Sequence, residues 1–164
     1  MRSAKRVNRE RSTVLAMRRH ERFLAYGVGG WVFEVLFTGV KAPVRDGDWR
    51  LASHTYLWML PVYGSAAYLF EPAHDALRAR PWWQRGLAYT AGFFAVEAAS
   101  GAAIKRVAGE VPWDYARPRG RATRAPRHWR GLVRPAYAPV WFAAGLAAEK
   151  FHDRLVDPGA GRSS

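Results

Sequence analysis

Arg22-x-Leu24-Ala25-Tyr26-x-x-Gly29-x-Trp31-x-x-Glu34 returns 63 residues later as Arg85-x-Leu87-Ala88-Tyr89-x-x-Gly92-x-Phe94-x-x-Glu97. A second stretch, Pro61-Val62-Tyr63 followed by Glu71-x-x-His74-Asp75-x-Leu77, returns after 78 residues. It reads Pro139-Val140-Trp141 and Glu149-x-x-His152-Asp153-x-Leu155. Self-similarity on this scale decides architecture before local readings do, because each copy must be one supersecondary unit. The unit implied here is a pair of helices. Two pairs, related by a pseudo-twofold axis, make the chain, and each predicted helix carries one Glu.

The 164 residues make one domain. Lys and Arg number 26 against 13 Asp and Glu, a net charge of +13, and the mean hydropathy is −0.26. That average hides a segregation. Basic residues crowd 2–22 and 105–134, whereas Phe23–Val40 and Gly86–Ile104 hold one charge each, Glu34 and Glu97. Apolar stretches separated by basic segments predict an all-α, polytopic protein of the cell membrane. There is no cysteine, which excludes disulfides and thiolate metal sites.

Four apolar segments, about 23–40, 56–71, 86–104 and 135–150, are the expected transmembrane helices of a domain over 23–155. Residues 1–22 form a basic tail and 156–164 a disordered one. Tyr56, Trp58, Trp82, Trp83, Trp129 and Trp141 fall near the expected helix ends, as interfacial aromatics do. The tail and first segment lack an Ala-x-Ala cleavage site, so the first helix is read as uncleaved. Basic residues divide 14 to 12 between the two faces and set no orientation.

The unequal offsets locate 15 extra residues between helices three and four. The Arg-rich run at about 117–134 is read as that insertion, a solvated loop able to meet anionic lipid. Two crossings per copy give both copies the same orientation, a parallel two-helix repeat about the membrane normal.

Glu34 and Glu97 are the expected central acidic site. Each sits 11 residues into its helix, ~16 Å deep, where an acid costs perhaps ~3 kcal/mol and normally faces the bundle interior. The alternative is structural: a hydrogen bond from each Glu to a Tyr or Trp on a neighbouring helix. Glu71 and Glu149 are expected to end their helices on the face where Arg22 and Arg85 begin theirs, so ion pairs among these four would staple the rim. Two Glu plus two Glu-x-x-His is also the ligand set of di-iron bundles. A ~13 Å height difference between Glu34 and Glu71, at 1.5 Å per residue, separates the set, and no metal or other cofactor is expected. Pro61 and Pro139 either sit in the first turn of their helices or interrupt them beside a cavity. Pro112-Trp113-Asp114-Tyr115 lies in the loop after helix three and suits an interface. No nucleic-acid fold signature accompanies the basic run.

The order Gly30-Trp31-Val32-Phe33-Glu34, Tyr56-Leu57-Trp58, Pro61-Val62-Tyr63-Gly64, Phe70-Glu71, Glu97-Ala98-Ala99-Ser100-Gly101, Pro112-Trp113-Asp114-Tyr115 and Tyr137-Ala138-Pro139-Val140-Trp141 resembles the ABC-transporter type IV (CmpB-like) membrane protein family, which includes vertebrate transmembrane protein 229. The similarity spans roughly 23–155, and Pro-Trp-Asp-Tyr after an intramembrane Glu is its most specific part. It implies a four-helix integral membrane protein and no assigned reaction. Three departures stand out. Ala116 replaces a usual Ser, the Arg-rich run replaces a short Gly-containing stretch, and His74 and His152 are not family features.

Three functional expectations follow. The first is a transport-type or permease-like membrane protein with Glu34 and Glu97 at its centre, as a homo-oligomer or with another membrane subunit. The second is a non-enzymatic scaffold or accessory subunit whose Arg-rich loop engages a partner or anionic lipid. The third, with no nucleophile or metal set behind it, is an enzyme acting on lipid headgroups through Asp114.

Overall fold

A computed structural model describes residues 17–47, 49–51, 53–116 and 127–156. These are all-helical, with no strand beyond an isolated bridge between Trp129 and Val133. Helix α1 is Arg19–Asp46, α2 is Met59–Gly64, α3 is Ala66–Leu77, α4 is Trp82–Ala108 and α5 is Ala138–Val156. A 3-10 turn, Pro135–Tyr137, leads into α5. Among the described residues, then, four helical segments occur, the second of them divided at Ser65.

The helices are longer than apolarity alone predicts. Helix α1 starts before Phe23 because Glu21, in the first turn, accepts a 2.6 Å hydrogen bond from the Arg18 N–H. It runs past Val40 and stops at Gly47, whose φ of 69° is easy only for glycine. Helix α4 extends the expected 86–104 at both ends. It follows Pro81 and stops at Gly109, φ 80°, after Lys105 and Arg106 in the dipole-favoured last turn. The expected helix 56–71 is instead α2 and α3. The Ser65 hydroxyl donates to the Val62 carbonyl at 2.6 Å where they part. The expected 135–150 becomes the 3-10 turn and then α5. Pro61 and Pro139 both fall in first turns, where proline is tolerated.

Two helix pairs dominate the packing, α1 with α2 and α4 with α5. Close approach explains the glycines between them. A Cβ at Gly27 would lie 2.9 Å from the Leu60 carbonyl oxygen, and one at Gly145 2.6 Å from Tyr89 Cβ. Phe23 of α1 packs on Gly64 of α2, while Gly86 of α4 receives Phe142 of α5. In the sequence copies Phe23 matches Gly86 and Gly64 matches Phe142, so large and small have changed places.

Two long helical segments, Arg19–Pro43 and Trp82–Ala108, are long and apolar enough to cross a membrane by length and composition. Their outer faces are bare. Leu24, Val28, Val32, Leu36 and Val40 each keep at least half of their surface exposed. At i+4 spacing they form one ridge ~24 Å long.

The Arg-rich stretch is not a uniform solvated loop. Residues 117–126 lie outside the described part, as do 1–16 and 157–164, where the two tails were expected. From Gly131 to Val133 the chain is buried. Leu132 and Val133 are buried with Val111, against Phe94 and Ala98. Trp113 Nε1 donates to the Leu132 carbonyl at 3.0 Å, and the Tyr115 N–H to the Gly131 carbonyl at 2.9 Å.

Candidate functional site

Polar side chains gather at two levels of the bundle. The first lies where α1 begins and α3 and α5 near their ends. Arg22 Nε and Nη2 donate to Glu71 Oε1 and Oε2, both at 2.7 Å. Arg85 treats Glu149 the same way, at 2.6 and 3.0 Å. In each case the third guanidinium nitrogen, Nη1, binds the carbonyl five residues back, Met17 at 2.5 Å and Arg80 at 2.8 Å. Such forked contacts fix geometry as well as adding energy. Neither Glu ends its helix, as the sequence reading expected. α3 continues through Pro72 to Leu77, and α5 to Val156.

Two histidines close this layer. His152 Nδ1 lies 3.2 Å from the Tyr26 hydroxyl and 3.3 Å from Glu71 Oε1. His74 Nδ1 lies 3.1 Å from the Tyr89 hydroxyl and 3.5 Å from Glu149 Oε1. Tyr89 in turn donates to Glu149 Oε1 at 2.7 Å. Each histidine therefore reaches into the helix pair to which it does not belong. The rings meet edge to face, 5.2 Å between centroids. The repeated Arg-x-x-x-Tyr and Glu-x-x-His spacings were the signal for this layer. They did not disclose which half each histidine would contact.

The second level is a cavity of about 580 Å³ whose lining includes Glu34, Glu97, Tyr63, Trp141, Tyr115 and Lys41. Thr55 Oγ1 donates to Glu34 Oε2 at 2.6 Å, and Tyr63 lies within electrostatic reach of both carboxylates. The Tyr115 hydroxyl donates to Glu97 Oε1 at 2.7 Å. Burial first, then the charge of Glu97, pushes the Tyr115 phenol up, so it remains a proton donor. Glu97 Oε2 and Trp141 Nε1 are both buried and miss ideal hydrogen-bond geometry, the indole N–H being the second donor, after Tyr115, that acts on this carboxylate. A buried carboxylate oxygen with only an imperfectly placed donor keeps part of its desolvation penalty, which a proton or cation would relieve. Glu34 and Glu97 thus share one cavity, with no direct contact between them among the hydrogen bonds and ion pairs described.

The Pro112–Tyr115 loop turns back over the end of α4 and delivers Tyr115 to Glu97. The Asp114 carboxylate accepts the Ala116 N–H at 2.9 Å. Tyr63 and Trp141 fit the structural alternative of a Tyr or Trp on a neighbouring helix. Thr55 and Tyr115, which come from the connecting segments, were missed, although a buried Glu requires a donor. The four Glu and two His of a di-iron set do not form one cluster among the described residues. His74, His152 and Asp153 do converge, one ligand atom from each lying within 4.8 Å of the others. No family model matches the chain, and neither does any solved structure.

Proposed function

We propose that this is a multi-pass integral membrane protein of transport type, in which the acidic cavity binds a proton, a small cation or a protonated amine. The observation that carries the reading is one cavity lined by both Glu34 and Glu97, with Glu97 Oε2 buried and short of a well-placed donor. The bare ridge from Leu24 to Val40 supports a bilayer setting. On a soluble chain it would be an unusually large apolar patch, whereas against lipid it needs no cover. On this reading all four helical segments cross, as a parallel two-helix repeat, and the chain is similar to the CmpB-like family. Matching residues of the two copies make matching Arg–Glu and Tyr–His contacts, which supports the repeat. Basic flanks such as Arg18, Arg19, Arg127 and Arg130 suit anionic headgroups.

Glu97→Gln and Glu34→Gln, reconstituted in liposomes, are expected to lose proton-coupled cation flux by ~100-fold or more, the scale of one lost general acid–base group. Their melting temperatures should stay near the parent's. A parent protein without flux sinks the reading. So does a loss of stability that tracks the loss of flux, because Tyr115 and Thr55 already hydrogen-bond these carboxylates. That outcome would favour the second reading, a membrane scaffold whose acids are structural.

A further inference from the structure

We propose a binding site for one divalent transition-metal ion of the zinc class, formed by His74, His152 and Asp153 at the seam between the two helix pairs. The hydrogen bonds around each imidazole decide which nitrogen is free. Tyr89 has one hydroxyl proton and directs it to Glu149 Oε1, so its 3.1 Å contact with His74 places the proton of that ring on Nδ1. Glu71, held by both prongs of Arg22, only accepts, and Tyr26 hydrogen-bonds it as Tyr89 does Glu149. With the Tyr26 proton on Glu71, the 3.2 Å contact of Tyr26 with His152 places the proton of that ring on Nδ1 too. Both Nε2 atoms are then left with lone pairs.

His74 Nε2 is buried, has no hydrogen-bond partner, and points towards Asp153 Oδ1 at 3.6 Å. A lone pair facing a carboxylate at that distance is unfavourable, and either a second proton on the ring or a metal ion between the two groups relieves it. Too long for a hydrogen bond, the separation suits two ligands of one ion. Adjacent ligands at ~2.0 Å from a tetrahedral zinc stand ~3.3 Å apart. The ring pair at 5.2 Å and 73° lets His152 supply the third ligand. Each histidine has its Nδ1 side held by a carboxylate and a tyrosine, the kind of outer hydrogen bonding that orients a metal-bound imidazole. Three protein ligands leave a fourth position for solvent.

Arg78 competes for the site. Its Nη2 lies 2.9 Å from Asp153 Oδ1, and its Nε 3.3 Å from Asp75 Oδ1. Arg78 is more than half exposed, so it can keep Asp75 and release Asp153. Asp153 itself is half exposed, which gives an ion an entry path from the helix ends.

The test is titration of Co²⁺ and Zn²⁺ into chelator-stripped full-length protein in detergent, read by calorimetry and by the cobalt d–d spectrum. One ion per chain with a four- or five-coordinate cobalt spectrum is expected. Asp153→Asn should weaken binding on the order of tenfold or more, and His74→Gln should abolish it. A triple His20→Ala, His54→Ala, His128→Ala variant should bind as the parent does. The proposal is overturned if the parent binds no ion, if the triple variant loses binding, or if Asp153→Asn binds unchanged. Should His74→Gln fail to fold, the parent's cobalt spectrum and Asp153→Asn decide. None of these readouts depends on Glu34, Glu97 or flux, so this site and the acidic cavity stand or fall separately.

Discussion

Arg22→Met is expected to lower stability by about 3 kcal/mol, because it strands Glu71 as an unpaired buried carboxylate. The Glu71 side chain is 3% exposed and that of Arg22 14%. Breaking such a pair costs about 3–5 kcal/mol, and the residual exposure of Arg22 puts the figure at the low end. For a chain of this length the melting temperature should fall by about 6–12 °C, followed by circular dichroism in detergent micelles. The Arg22→Met/Glu71→Met double variant should recover most of the loss, since two apolar side chains can replace a buried pair at little cost. A single variant within about 0.5 kcal/mol of the parent would mean that the pair behaves as a surface ion pair and does not organise this layer.

Gly64→Phe is expected to be destabilising by at least the upper end of the ~1–3 kcal/mol typical of overpacking. A Cβ at residue 64 already comes within 2.8 Å of the Phe23 ring, and the rest of the new side chain would have to occupy that ring's place. The other helix pair shows the remedy. There the ring comes from α5, at Phe142, and the gap from α4, at Gly86. Phe23→Gly combined with Gly64→Phe reproduces that arrangement in the first pair. It should restore the parent's stability to within the ~1 kcal/mol that a helical glycine costs. A double variant as unstable as Gly64→Phe alone would show that the exchanged ring cannot be accommodated between α1 and α2.

Helical content and the two long apolar helices were legible because hydrophobicity and length speak for themselves. Helix ends were not. The segments 41–46, 105–108 and 151–156 mix charged with apolar residues, so a reading based on apolarity stopped short of them, although Gly47 and Gly109 were visible as stop signals. The break at Ser65 was hidden by the proline four residues earlier, which drew attention to the wrong position. Within the Arg-rich run, the apolar pair Leu132–Val133 was the sign of packed structure, and surrounding arginines masked it. The sequence put four charged residues at matching places. Which arginine would meet which glutamate depended on helix pairing. Least legible was Tyr115, whose contact with Glu97 exists only because the loop doubles back over α4.

The crossed histidines carry a consequence for how such a chain could arise. His74 meets Tyr89 and Glu149, while His152 meets Tyr26 and Glu71. On the proposed two-copy architecture each contact has a mirror across the seam, the defining relation of an isologous surface. Such a surface closes between two identical chains as readily as between two halves of one. Residues 17–77 alone already hold an arginine, a tyrosine, a glutamate and a histidine at the required positions. On that architecture a gene half as long, encoding one unit that dimerises, would supply every group this layer uses. Fusion of two such units would then free them to diverge, as Phe23 and Gly86 differ.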